Sequence, residues 1–177
     1  AGSRIVNANT FGASAHKLAG SAYTLEQVIT AGIENCKRAC APYGALTALD
    51  VGPLGELLEP SGTLAFEDAV AEYARIVKAG EAAGADLIFF ETYTDLYELK
   101  AALLAAKENT HLPILASMSF EAGGRTFTGC TVESFAATAR GLGADAVGIN
   151  CSLGPKEIFP MAKRLAEAVP GNFPVFV

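Results

Sequence analysis

No stretch of this sequence approaches the roughly 20 apolar residues that a membrane-spanning helix requires, and no charged-then-apolar leader opens it. The expectation is a soluble, cytoplasmic protein with no membrane partner. Clustered basic charge is also missing. Thirteen Lys and Arg are scattered singly and the net charge is −6, which argues against a nucleic-acid partner held through its phosphates. Cysteine is scarce: four in 177 residues are too few for a disulfide scaffold and suit a reducing compartment. Histidine is scarcer, with only His16 and His111 to serve as a base. No Gly-x-Gly-x-x-Gly follows the first apolar run, which weakens a dinucleotide-binding reading.

What remains is a globular balance, 51% hydrophobic and 18% charged. A chain of this length buries roughly 70% of the surface its unfolded form exposes. Short apolar runs recur at Arg4 to Asn9, Ala45 to Val51, Leu87 to Glu91, Pro113 to Phe120, Ala146 to Cys151 and Pro174 to Val177. They are continuous rather than alternating, the pattern of strands buried on both faces of a parallel sheet. Amphipathic stretches lie between them. Phe66, Val70, Tyr73 and Val77 fall on one helical stripe, as do Leu96, Leu99, Leu103 and Ala106. Residues 131–142 and 155–168 read the same way, with Thr131 and Gly154-Pro155 as helix starts. Two helix endings repeat, Ala82-Ala83-Gly84-Ala85-Asp86 and Gly141-Leu142-Gly143-Ala144-Asp145, each placing a glycine where a left-handed cap feeds the next strand.

Strict alternation of this kind implies an α/β protein, either an open doubly wound sheet or a closed (β/α)8 TIM-type barrel. The chain opens without Met and stops inside an apolar run. We therefore expect a piece of a longer protein, an incomplete barrel holding about six of eight strands across residues 1–177, with one strand before it and one after.

In parallel α/β proteins chemistry sits at the carboxyl ends of the strands. Here those ends read Asn9-Thr10-Phe11-Gly12, Asp50-Val51-Gly52-Pro53, Glu91-Thr92, Ser117-Met118-Ser119 and Asn150-Cys151-Ser152. Asp50 and Glu91 would face one cavity, to hold a substrate ammonium group, to act as acid and base, or simply to cap the next helix. Cys151 precedes a helix start whose positive end favours a thiolate, so it is a candidate nucleophile or metal ligand. Its weakness as a nucleophile is the lack of a nearby base; its weakness as a ligand is the lack of partners, since catalytic zinc takes three protein ligands. Cys130, after a glycine-rich turn, is the other thiol near the rim. Cys36 and Cys40 share a helix face and read as small buried hydrophobes.

These same blocks carry a resemblance. Asn9-Thr10-Phe11-Gly12-Ala13, Asp50-Val51-Gly52-Pro53-Leu54-Gly55, Phe90-Glu91-Thr92 with Asp95 and Glu98-Leu99-Lys100-Ala101-Ala102, and Gly148-Ile149-Asn150-Cys151-Ser152-Leu153-Gly154-Pro155 together resemble the homocysteine S-methyltransferase family. The likeness spans essentially the whole chain and is greatest to the homocysteine-binding barrel of the cobalamin-dependent branch, the methionine synthases. It implies a (β/α)8 barrel, here strands two to seven, with a zinc at its mouth held by three thiolates. Cys151 matches the first; the other two belong to a Cys-Cys motif that would follow residue 177. It implies transfer of a methyl group to the thiolate of homocysteine, with Glu91 receiving the substrate's amino group and Thr10, Asn150 and Asp50 in support. Methylcobalamin, regenerated from methyltetrahydrofolate on other domains, would be the methyl donor. With one thiolate of three, the chain alone is expected to bind zinc poorly and to be inactive.

Other readings stay open on the sequence. Betaine- and S-methylmethionine-dependent methyltransferases share the barrel core. An aldolase-like barrel would also gather acids at strand ends, but it asks for a strand-end Lys or a phosphate loop that residues 1–177 lack. A non-catalytic scaffold is the third, and two open sheet edges would invite an edge-paired homo-oligomer.

Overall fold

A computed structural model describes residues 2–177 and shows strand and helix in regular alternation. The strands are β1 (Ile5–Asn7), β2 (Leu46–Val51), β3 (Leu87–Tyr93), β4 (Ile114–Met118), β5 (Ala146–Ile149) and β6 (Val175–Phe176). The helices are α1 (Leu25–Cys40), α2 (Phe66–Ala82), α3 (Leu96–Asn109), α4 (Val132–Gly141) and α5 (Pro155–Ala168), with a short 3-10 turn at Ala41–Tyr43. Neighbouring strands pair parallel and in chain order, β1 to β6, with β1 and β6 at the open edges. The sheet curls with its helices outside: an incomplete TIM-type barrel, as the alternation predicts.

Period-two alternation sorts the strand side chains onto two faces. Leu49, Ile88 and Ile114 lie in register, as do Val51, Phe90, Ala116 and Val147, and all are buried. This face carries the helices. A Cβ at Gly80 of α2 would stand 2.4 Å from the Leu49 side chain, so the glycine is what lets helix and sheet approach. Asp50, Phe89 and Leu115 form the row between, on the inside of the curl. Tyr73 of α2 packs against Phe90 and Tyr93 at centroid distances of 6.2 Å, three fully buried rings at the middle of the core. Burying each stabilises the fold by about 2–3 kcal/mol.

The helix punctuation is local chemistry. Thr24 and Gln27 form a reciprocal capping box at α1. Asp95 accepts from Tyr97 N at 2.9 Å, and Thr131 accepts from Ser134 N at 3.2 Å. Gly154 precedes Pro155 at the first position of α5. Both repeated endings do what was expected, with Gly84 at φ +86° and Gly143 at φ +88°. They also do something more. Asp86 donates its N–H to Thr47 O and accepts from Thr47 N at 2.7 Å; Asp145 does the same with Ile114, at 2.7 and 2.8 Å. Each aspartate therefore locks the start of its strand to the strand before it.

Four strands differ in their bounds from the apolar runs of the sequence. The fifth strand ends at Ile149 and not at Cys151, because Cys151 and Ser152 both turn left-handed, at φ 61° and 63°. β3 continues past Glu91 to Tyr93 through an irregularity in its pairing with β4. β1 and β6 are shorter than their apolar runs, each having a partner on one side only. Among the described residues no helix is long and apolar enough to cross a membrane.

Candidate functional site

Three residues other than glycine adopt positive φ among those described: Thr92, Cys151 and Ser152. Left-handed backbone costs an L-residue about 1–2 kcal/mol, and such strain gathers at functional positions when surrounding structure enforces it. Here it gathers at one spot. Thr92, beyond Glu91 on β3, and Cys151, two residues past β5, bring Oγ1 and Sγ to 3.7 Å although 59 positions separate them.

Asn150 enforces this arrangement. Its Nδ2 donates to Thr92 Oγ1 at 2.7 Å and lies 3.3 Å from Cys151 Sγ. Its Oδ1 accepts from the Ser117 hydroxyl at 2.9 Å, and its backbone carbonyl accepts from the Ser119 hydroxyl at 2.8 Å. Ser117 Oγ in turn accepts from Thr92 N at 3.3 Å. Strands β3, β4 and β5 are thus tied together at their carboxyl ends, with the exposed Cys151 thiol at the top of the knot.

The second feature is a pair of acids. Asp50, 7% exposed on β2, is pushed up to about 7, first by burial and then by the negative charge of Glu91 close by. Its Oδ1 is buried and has no hydrogen-bond partner. This buried oxygen stands beside the half-buried Glu91, whose carboxyl further favours the protonated form of Asp50. Neither acid caps a helix; Asp95 does that for α3. The Thr10 hydroxyl is already engaged, donating to Asp50 O at 2.8 Å and accepting from Asp50 N at 3.1 Å. It therefore holds the end of β2 in place from the loop after β1.

Beneath this rim lies a residue that the sequence analysis placed in a motif but gave no role. Glu98, in the first turn of α3, is 5% exposed and accepts from Leu54 N at 2.8 Å and from Tyr73 Oη at 2.9 Å. Tyr93 Oη donates to Gly52 O at 3.2 Å. The loop of Gly52 to Gly55 is pinned from below by these groups and from the side by Lys17, whose Nζ donates to Pro53 O at 2.5 Å. Burial drives the Glu98 carboxyl above its ordinary range, an effect the Leu54 and Tyr73 hydrogen bonds partly offset. A first-turn Glu on a sequence reads as a solvated helix-start acid; only the packing of α2 and α3 over the loop buries it.

The remaining candidates fall elsewhere. Cys130 is half-buried, points its thiol at Thr131 O at 3.2 Å, and is pushed up to about 11 by burial. His16 pairs with Glu56 at 2.7 Å, and the backbone of His111 binds Glu81 near the amino end of β4. Among the described residues no group of three or more His, Cys, Asp or Glu converges as a metal site. The rim thus presents one exposed thiol, Cys151, beside Asn150 and Thr92, where a catalytic zinc takes three protein ligands.

The family model described as homocysteine S-methyltransferase matches residues 1–177. Methionine synthase from Mycobacterium tuberculosis (strain ATCC 25618 / H37Rv) is 33% identical over 89 residues, 48% of this chain and 8% of that protein. Its counterpart from Mycobacterium leprae (strain TN) is 32% identical over 89 residues, 48% of this chain and 7% of that one. Among solved structures, the metallated form of the homocysteine methyltransferase MmuM from Escherichia coli superposes with a TM-score of 0.85 at 20% identity, over 99% of this chain and 66% of that one. Its apo form gives 0.79 at 22% identity, over 99% and 65%. The structural likeness shows the barrel fold. The 89 matched residues make up under a tenth of the curated relatives, and the chain spans about two thirds of the solved chains.

Proposed function

Because the chain belongs to the homocysteine S-methyltransferase family, we propose that its rim is the substrate mouth of an enzyme that methylates the sulfur of homocysteine to give methionine. The unpartnered Asp50 Oδ1 beside Glu91 carries this reading. It is an acceptor pair for the amino group of an amino acid, set on the same rim as a strained, exposed thiol. Glu91 would take the ammonium directly, with Asp50 behind it releasing its proton as the cation arrives. Thr10 holds the Asp50 backbone, so the acid pair does not need to reorganise on binding.

Cys151 would serve as one of the thiolate ligands of a zinc, with further thiolates supplied from outside residues 1–177. When bound, that zinc would supply the Lewis acidity that keeps a substrate thiol ionised at neutral pH, the form that attacks a methyl donor. Asn150 donates a hydrogen bond toward the Cys151 sulfur and Thr92 stands beside it, so the ligand is presented in one rotamer. The homocysteine sulfur takes the methyl carbon as the bond from carbon to the donor breaks. The likeness to the mycobacterial methionine synthases supports methylcobalamin as that donor, carried on another domain and regenerated from methyltetrahydrofolate.

The test is methyl transfer from methylcobalamin to homocysteine by the full-length protein containing this segment. Cys151→Ser should abolish turnover and lower the zinc content while the circular dichroism spectrum is unchanged. A Cys151→Ser protein that retains both zinc and activity would refute the assignment.

A further inference from the structure

Helix α1 carries Cys36 and Cys40 one turn apart on its buried face, with their sulfurs 3.8 Å from each other. They sit 8% and 4% exposed at the seam between α1 and strands β1 and β2, on the opposite side of the sheet from the Asp50 row. Cys36 reaches Val6 O at 3.5 Å. Thr47, 1% exposed on β2, brings its hydroxyl against the Cys36 thiol, yet that hydroxyl has no properly oriented hydrogen-bond partner. Cys36 also lines a groove of about 560 Å³ with Asn7, Tyr23, Gln27 and Gly32, so one thiol of the pair faces an entrance and Cys40 lies one turn behind it.

Helix geometry decides what such a pair can do. Residues four apart on a helix hold their Cβ atoms about 5–6 Å apart, whereas a disulfide wants about 3.8 Å. A direct S–S bond would therefore require α1 to unwind. A one-atom bridge would not. Two bonds of about 2.3 Å meeting at a tetrahedral angle, as zinc makes them, span sulfurs about 3.8 Å apart. A pyramidal trivalent centre, with angles nearer a right angle, asks for sulfurs somewhat closer, which small side-chain rotations from the present 3.8 Å supply without unwinding the helix. Zinc asks for four donors, and no third His, Cys, Asp or Glu converges with this pair among the described residues. A trivalent arsenical brings its own carbon substituent and needs only two sulfurs.

We propose that Cys36 and Cys40 form a dithiol site that captures trivalent organoarsenicals through the groove beside α1. The reaction is a condensation. Two As–S bonds form, the As=O bond breaks, and the oxygen leaves as water carrying both thiol protons, with no change in oxidation state. The balance consumes two neutral thiols and releases water, so burial leaves the equilibrium unopposed. Each attack passes through the thiolate, which the burial of Cys36 makes scarcer, so capture is slow rather than unfavourable. Once the Cys36 sulfur has lost its proton, the orphaned Thr47 hydroxyl gains an acceptor.

The experiment uses phenylarsine oxide on the 1–177 chain carrying Cys130→Ser and Cys151→Ser, read by intact mass and by titration of free thiols. One phenylarsenic adduct with loss of both remaining thiols is expected, stable to excess glutathione and removed by 2,3-dimercaptopropanol. Adding Cys36→Ala or Cys40→Ala should abolish the adduct. Should either variant fold poorly, tandem mass spectrometry of the unsubstituted chain replaces it, and the adduct should map to the peptide containing α1. An adduct that survives either alanine substitution, maps to Cys130 or Cys151, or forms only in urea overturns the proposal.

Discussion

Asn150 Nδ2 donates to Thr92 Oγ1 at 2.7 Å, closing a contact between two residues 58 positions apart at the carboxyl ends of β5 and β3. The same amide group lies 3.3 Å from the Cys151 sulfur, so one side chain sets both the strained turn and the orientation of the thiol.

Asn150→Ala removes these bonds and leaves the Ser117 hydroxyl without its acceptor. The expected loss of stability is about 2 kcal/mol, read as a lower urea midpoint with an unchanged slope. In the full-length protein, zinc affinity should fall by about 10–100-fold, the usual effect of losing a group that orients a ligand. Unchanged zinc affinity at equal stability would show that Asn150 does not orient the thiol.

Asp50 makes stability depend on pH. The folded chain keeps it protonated until about pH 7, whereas an unperturbed Asp ionises near 3.8. Between those values the folded state holds the extra proton, so stability is full below the window and falls as pH rises through it. A gap of about three units corresponds to at most about 4 kcal/mol. Urea titrations at pH 5 and pH 8 should show that Asp50→Asn loses less stability than the unsubstituted chain. Equal losses in the two proteins would contradict the assignment.

The same carboxyl should couple to ligand binding. An ammonium group placed against Asp50 and Glu91 favours the ionised acid, so binding below pH 7 releases a proton. Calorimetry of homocysteine with the full-length protein, run in buffers of different ionisation enthalpy, should report that proton. It should vanish in Asp50→Asn together with part of the affinity.

Glu98 separates a carboxylate's charge from its role as an acceptor. Glu98→Gln keeps an oxygen for Leu54 N and Tyr73 Oη and should cost about 1 kcal/mol. Glu98→Ala strands both donors and opens a cavity, for about 3–4 kcal/mol. Hydrogen exchange at the Leu54 amide should accelerate strongly in the alanine variant and little in the glutamine one. Similar exchange in both would mean that the loop is held by other contacts.

Zinc provides the last test. With Cys151 the one exposed free cysteine and no converging group of three ligands among the described residues, the 1–177 chain should compete poorly for zinc against a chromophoric chelator. Tight stoichiometric binding would disprove the one-donor reading.

The barrel was legible because each of its units is specified locally. Glycines at 84 and 143 must turn left-handed, the stripe through Tyr73 and Val77 must face the sheet, and runs such as Leu49 and Val51 can only be buried. The site was legible in part. Asp50, Glu91, Asn150 and Cys151 stand out as polar residues closing apolar runs, but Thr92, Ser117 and Glu98 look like ordinary strand-end and helix-start polars. Their roles depend on partners that are distant in sequence, such as Asn150 for Thr92 and Leu54 for Glu98.

The sequence by itself therefore determined the alternation of strand and helix, the parallel order and the rim to which the strand-end polar residues are delivered, because hydrophobic period and glycine caps act over a few residues. Tertiary structure alone decided that Asp50 keeps its proton, that Glu98 is buried, and that Thr92 and Cys151 share one strained knot. It also set Thr47 beside the Cys36 and Cys40 thiols. Burial and charge act through space, and only the curl of the sheet brings these groups within their reach.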